Sequence, residues 1–276
     1  MATHAASLAR PLPSASAGVT LPAFTLWWRE IVRFYRQPGR VVGVLASPLV
    51  FWAVLGSGFG TSFRSGSGGP GQSHYLDYSY PGILILIVLF TSIFTMMSVI
   101  EDRKEGFLLS VLVAPVPRTA IVLGKVLGGT TLAAVQGMIF LIFAPFAGIH
   151  VEPLQLLLVA IVVFLVSFSL TALGFAIAWP MDSSQAFHGI VNLFLIPLWL
   201  VSGALFPIAG ASGWIRVIMR LNPLTYGVEA LRGLLYPGSE TSFPLSSSIA
   251  TLLLFSLVMF ALALLMANRR TTKPAA

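Results

Sequence analysis

Six stretches of this chain run through apolar residues without a single Asp, Glu, Lys or Arg: 41–59, 81–100, 126–147, 154–178, 186–206 and 247–267. A helix needs about 20 largely apolar residues to cross a bilayer. A charge at its centre costs about 2.5–3.5 kcal/mol on insertion scales. Helices of water-soluble domains average about 10–14 residues, so six charge-free windows of this length do not describe a soluble core. No ten-residue segments alternate as barrel strands do, and backbone groups cannot go unpaired in lipid. The pattern predicts an all-α integral membrane protein with six transmembrane helices.

Composition agrees. Of 276 residues, 57% are hydrophobic and 9% charged, against about 25% charged in a soluble domain. The net charge of +7 would suggest nucleic acid only on a polar fold with a basic patch, and the sequence offers no polar fold. It is better explained by orientation. Six crossings put both termini on one side, and that side collects twelve of the sixteen Lys and Arg. Positive residues gather on the cytoplasmic side, so both termini are expected in the cytoplasm of a cell-membrane protein. Residues 1–23 hold no apolar signal-peptide core and are expected to form a flexible tail, with 269–276 as a second.

Three segments are not plain spans. In 24–40, Arg29, Arg33, Arg36 and Arg40 recur at helical spacing, while Trp27, Trp28, Ile31 and Phe34 lie beside or opposite them. A basic stripe opposed to aromatics predicts an interfacial helix in the headgroup layer; the alternative is a juxtamembrane cluster that only sets topology. In 101–125, Glu101, Asp102, Arg103, Lys104 and Glu105 precede Gly106, a short apolar run and two prolines, 115 and 117. The run is too short to span and too apolar for water, which predicts packing against protein, either as a docking element for a cytosolic partner or as a cap on the second span. In 207–235, Arg216 and Arg220 lie one turn apart. Asn222 and Pro223 then break the helix, and Glu229 and Arg232 follow at a spacing that permits weak pairing. Two short semi-apolar helices around a proline predict a re-entrant hairpin before the last span, or a helical surface loop.

Energy-converting chemistry is not evident. There is no phosphate-binding Gly-x-x-x-x-Gly-Lys-Ser/Thr, His-Glu-x-x-His or Gly-x-Ser-x-Gly, and no cysteine. Four histidines (His4, His74, His150, His188) show no ligand spacing, so no catalytic, cofactor or metal site is expected. His188 reads as a hydrogen-bonding residue between helices. The charge-free spans disfavour an ion-driven secondary transporter, which needs a midplane polar site.

Glu101 to Gly106, the Pro-Val-Pro-Arg at 115–118, Gly124-Lys125, and Asn-Pro-Leu-Thr-Tyr at 222–226 followed by Glu229 and Arg232 resemble the ABC-2 family of transporter permeases over about residues 24–268. The resemblance implies an export permease driven by two copies of a separate P-loop ATPase, which bind ATP and Mg, and a second permease copy that completes the path. It implies a coupling helix around Glu101 to Gly106 with Arg118 nearby. Trp27, Trp28, Arg29, Arg33 and Arg36 would lie in the interfacial helix. Arg216, Arg220, Asn222, Pro223, Tyr226, Glu229 and Arg232 would help close the outer end. The sequence looks most like drug-efflux branches, which implies a hydrophobic drug-like or lipid-like substrate; polysaccharide or lipid-linked glycan export is the alternative.

Overall fold

The computed structural model of the chain describes residues 18–37, positions 39, 42, 43, 46, 49, 50 and 52–54, and residues 75–149, 151–239 and 241–269. The expected first span, 41–59, and both tails fall largely outside these residues. No strand occurs among the described residues. The elements described in full are α1 (Thr20–Tyr35), α2 (Tyr75–Thr95), α3 (Met97–Lys104), α4 (Phe107–Val113), α5 (Arg118–Phe140), α6 (Pro153–Ala178), α7 (Ser184–Trp199), α8 (Gly213–Leu221), α9 (Pro223–Leu235) and α10 (Leu245–Asn268). A 3-10 segment, Leu141–Ala147, prolongs α5, and a π turn, Leu200–Ala204, prolongs α7.

Among the described residues, five helical stretches have the length and composition to cross a membrane: Asp77–Lys104, Arg118–Ala147, Pro153–Ala178, Ser184–Ala204 and Leu245–Asn268. They correspond to the second through sixth expected spans and make the chain a multi-pass membrane protein. Two run past their apolar windows. The first continues through the charged run to Lys104, and the second begins at Arg118, ahead of residue 126. Protein contacts satisfy most of the charges that this lengthening brings in, as the geometry below shows.

The helix α2 is apolar on every side, and such a helix belongs in an interior. It packs against α5 and α6, with Ile83, Leu84, Ile85, Ile87, Val88 and Leu89 fully buried. By contrast α10, equally apolar, lies at the edge against α6, with 17% of its spanning window buried against 83% for α2. Apolarity alone therefore does not distinguish a core helix from one at the edge of the bundle.

Pro81 sits inside α2. Proline has no N–H to donate, which frees the carbonyl of Asp77 four residues back. The Tyr236 hydroxyl donates to that carbonyl at 2.7 Å, tying the end of α9 to the start of α2. Loops place the first turns of α2 beside the ends of α5 and α7. The far ends of α2, α6 and α10 share the opposite face with α1, α3 and α4, here termed the crossover end.

Candidate functional site

The crossover from α3 to α5 is built on buried charge. Asp102 in α3 has no solvent exposure, Lys125 in α5 has 1% and Glu30 in α1 has 4%. Lys125 Nζ donates to Glu30 at 2.6 Å, to the Ser98 hydroxyl at 3.1 Å and to Asp102. Arg29 donates to both Asp102 oxygens at 2.7 and 3.0 Å, and Arg33 reaches Asp102 at 2.8 Å and Glu101 at 2.7 Å. Three cations thus face three carboxylates across α1, α3 and α5. Buried ions are tolerated when paired and fully hydrogen-bonded. Burial by itself would lower the Arg29 pKa, but the hydrogen bond and charge of Asp102 outweigh it and hold the guanidinium above its ordinary range.

Close helix contact makes this possible. A Cβ on Gly124 would stand 2.6 Å from the Leu26 Cβ and 2.7 Å from the Ala23 carbonyl oxygen, so only glycine lets α1 and α5 approach until Glu30 meets Lys125. The sequence expectation for α1 needs adjustment here. Arg29 and Arg33 turn toward α3 rather than toward headgroups, because buried carboxylates from a distant segment outcompete an outer surface. Trp27 is held by its indole N–H on the Thr131 hydroxyl at 3.1 Å. Trp28 and Arg36 remain exposed.

The charged run therefore splits. Glu101, Asp102 and Arg103 are engaged within the protein, while Lys104 and Glu105 are exposed, with Glu105 3.7 Å from Arg33. Arg103 donates to the Trp179 carbonyl, to the Met181 carbonyl at 2.8 Å and to Asp182 at 3.1 Å. Arg118 donates to the Ala267 carbonyl at 2.5 Å. At Gly106 the chain takes φ +77° and turns into α4. That helix anchors itself through buried Leu108 and exposes Leu109 (66%), Leu112 and Val113 (80%). The Arg29 guanidinium stacks over Phe107, at its start, 3.8 Å from the ring centroid.

At the opposite end the π turn breaks α7. Val201 and Gly203 leave helical geometry, and Gly203 has φ +82°, a left-handed conformation that glycine adopts at no steric cost. The carbonyls freed by the break are taken up elsewhere. Asn222 Nδ2 donates to Leu198 at 2.6 Å and Val201 at 3.4 Å, while its Oδ1 accepts from the Leu224 N–H and caps α9. Pro223 follows at the first position of α9, where its missing N–H costs nothing. Arg232 donates to Gly203 at 2.9 Å and to Glu229, whose other oxygen accepts from the Ser242 N–H at 2.6 Å.

Glu229 and Arg232 are 3% and 8% exposed, so the pairing that their spacing permits is a buried one. The Tyr226 hydroxyl donates to the Arg220 carbonyl at 2.9 Å, and Arg216 donates to Ala211 at 3.0 Å. Arg220 is exposed, as are Trp214, Val217, Ile218 and Leu221 along one side of α8.

Sequence reasoning named Lys125 but not its burial, and passed over Glu30 and Ser98 in the crossover and, at the opposite end, Tyr236, Tyr78, whose hydroxyl donates to the Gly203 carbonyl at 3.0 Å, and Trp199, whose indole N–H donates to the Gly82 carbonyl at 2.8 Å. One signal existed, since Glu30 is the one acid in α1, set inside a basic stripe. His188 lies against Phe94 with the rings tilted at 41° and their centroids 4.9 Å apart. Among the described residues no group of three His, Cys, Asp or Glu could hold a metal ion.

Residues 23–236 match the family model for the ABC-2 type transporter. A protein named as a transport permease, ycf38, from Cyanophora paradoxa is 30% identical over 237 residues, 85% of this chain and 80% of its own length. The daunorubicin resistance ABC transporter permease protein DrrB1 of Streptomyces coeruleorubidus is 25% identical over 234 residues, covering 82% and 78%. Nodulation protein J of Rhizobium leguminosarum bv. trifolii is 24% identical over 222 residues, covering 79% and 83%. With a family match that begins in α1 and ends just beyond α9, the chain belongs to the ABC-2 type transporter family, as a transport permease.

Proposed function

We propose that the chain is the membrane subunit of an ATP-driven exporter, with the crossover end in the cytoplasm and α4 as the element that seats a separate ATPase. The observation that carries this reading is the apolar edge of α4. Leu109, Leu112 and Val113 stand exposed on a short helix whose base is clasped by buried ion pairs. A helix end in water would place polar residues there, whereas an apolar edge beside Lys104 and Glu105 suits a protein groove with a charged rim. The P-loop ATPase binds two copies to a permease pair and supplies ATP and Mg chemistry.

The second permease copy and lipid share the outward faces of α7 and α10, which expose Leu193, Phe194, Leu254 and Leu257. The helical hairpin α8–α9 closes the outer end of the path, with Asn222, Glu229 and Arg232 holding it to the broken end of α7. The transported class is a hydrophobic drug-like or lipid-like compound. The exposed apolar faces of the helices and the drug-resistance name of one relative support that choice. An ion-driven mechanism is disfavoured because the buried acids Glu30, Asp102 and Glu229 are each engaged by a cation.

A mild-detergent pull-down from native membranes tests the reading. A stoichiometric P-loop protein whose ATP turnover depends on this chain is expected. Recovery of the chain alone under several extraction conditions sinks it.

A further inference from the structure

Two arginines at the two ends of the crossover cap helices to which neither belongs. Arg103 closes α3 and Arg118 opens α5. The last carbonyls of any helix lack partners within it, and commonly a left-handed glycine just past the end supplies the missing bond. Neither α6 nor α10 ends that way. The residue just past the cap Trp179 is Pro180, and the one just past the cap Arg269 is Arg270, so neither position holds a glycine.

The guanidinium of Arg103 fills the first gap through the carbonyls of Trp179 and Met181, with Asp182 3.1 Å away and the Trp179 ring centroid at 5.8 Å. Arg118 fills the second through the carbonyls of Ala267 (2.5 Å) and Arg269 (3.5 Å). Cations favour a helix C-terminus through its dipole as well as through hydrogen bonds. A guanidinium fork also bridges two acceptors at fixed geometry, which an ammonium does not. Between these two grips lies α4, with its apolar edge exposed.

From this placement we infer that the crossover is a strap, with Arg103 and Arg118 as positioning residues that carry any displacement of α4 to the ends of α6 and α10. The inference rests on the exporter reading. The buried cluster of Asp102, Lys125 and Glu30 joins α4 to the neighbouring α1 and α5. The two arginines extend the connection to spans that α4 itself does not adjoin in sequence. A stroke delivered to Leu109 and Val113 then shifts four helix ends together. Without the grips, α4 tilts about Gly106 while α6 and α10 stay in place.

The test uses the full chain in lipid nanodiscs with the ATPase that co-purifies with it. Arg103→Ala and Arg118→Ala are each expected to retain stoichiometric partner but to lose permease-dependent stimulation of ATP turnover by at least about fivefold, the low end of measured couplings between sites. Arg103→Lys and Arg118→Lys, which keep the charge and lose the fork, are expected to recover part of it. The chain contains no cysteine, so spin labels at S110C/P180C and S110C/N268C report the two grips directly. All three positions are exposed. Both distances should stay narrow and alike in nucleotide-free and ATP-trapped states of the unsubstituted protein. They should broaden with nucleotide once the corresponding arginine is removed.

Should the alanine forms fail to assemble, Arg103→Gln and Arg118→Gln, which keep a hydrogen-bond donor, carry the same expectations. Full stimulation with unaltered distances in the substituted proteins overturns the strap. Loss of partner binding in parallel with stimulation also overturns it, because the arginines would then only shape the docking surface. If the unsubstituted chain fails to stimulate any ATPase, the exporter reading itself has failed.

Discussion

Asp102 and Lys125 meet as a buried ion pair across the crossover, one on the last turn of α3 and the other two turns into α5. Neither is accessible to water, and each is shared with α1, through Arg29 and Glu30 respectively. Three helix ends are thus fastened where the proposed motor acts. The cost of removing any one charge depends on what it leaves behind.

Lys125→Met takes from Glu30 its close cation, leaving only Arg29 at 3.4 Å, while Asp102 keeps Arg29 and Arg33. Breaking a buried pair from one side typically destabilises by about 3–5 kcal/mol. A large fall in detergent thermal stability is therefore expected. The double change Glu30→Gln and Lys125→Met should cost less than the sum of its parts, because the two groups that lose each other are then both neutral while Asp102 keeps Arg29 and Arg33. Strict additivity in a thermal melt series would refute the shared-cluster account.

Contacts at the edge of α4 are predicted to bind the partner and contribute little to the fold. Leu109→Asp and Val113→Asp should weaken co-purification of the ATPase by about tenfold or more, as expected of buried interface anchors. Their melting temperature should match that of the parent. Charge reversal at exposed Lys104 or Glu105 is expected to have a smaller effect, since rim charges are screened. Quantitative pull-down at two salt concentrations distinguishes the two classes.

Gly124→Ala forces a Cβ to within 2.6 Å of Leu26. Overpacking of this kind costs about 1–3 kcal/mol, and here it also lengthens the Glu30–Lys125 contact. Reduced thermal stability with increased protease access to α1 is the expected pair of results. An unchanged melt would mean that α1 does not pack on α5 in this register.

At the opposite end, Asn222→Ala leaves the carbonyls of Leu198 and Val201 without their side-chain donor and uncaps α9. An orphaned buried group costs about 1–3 kcal/mol. Amide hydrogen exchange is expected to accelerate in residues 198–204 and at the start of α9, with little change in α1 or α4. Uniform acceleration across the chain would indicate global unfolding instead of a local release of the broken helix.

Much of this protein is legible from its sequence because bilayer insertion depends on local composition. A run of apolar residues without charge is a span whatever its neighbours are, so five described spans fall on the windows 81–100 through 247–267. The turn at Gly106, the stop after the apolar run and the break at Asn222–Pro223 are local as well. Each follows from the backbone freedom of glycine or from the fixed φ and missing N–H of proline.

Pairing is a different matter. Glu30 and Lys125 are 95 positions apart, and Arg29 and Asp102 are 73 apart. Whether they meet depends on the register in which α1, α3 and α5 pack, which no single helix encodes. The arginine stripe of α1 was readable as one face, but not which surroundings that face would find. In the same way Glu229 and Arg232 had a visible spacing and an invisible burial. The sequence alone determined which of the described segments can cross the membrane and that the chain breaks at Asn222–Pro223, because those depend on each segment's own solvation and backbone. Only the tertiary structure decided which charges are buried together and which apolar edge is left uncovered, because both depend on what distant helices bring within 3 Å.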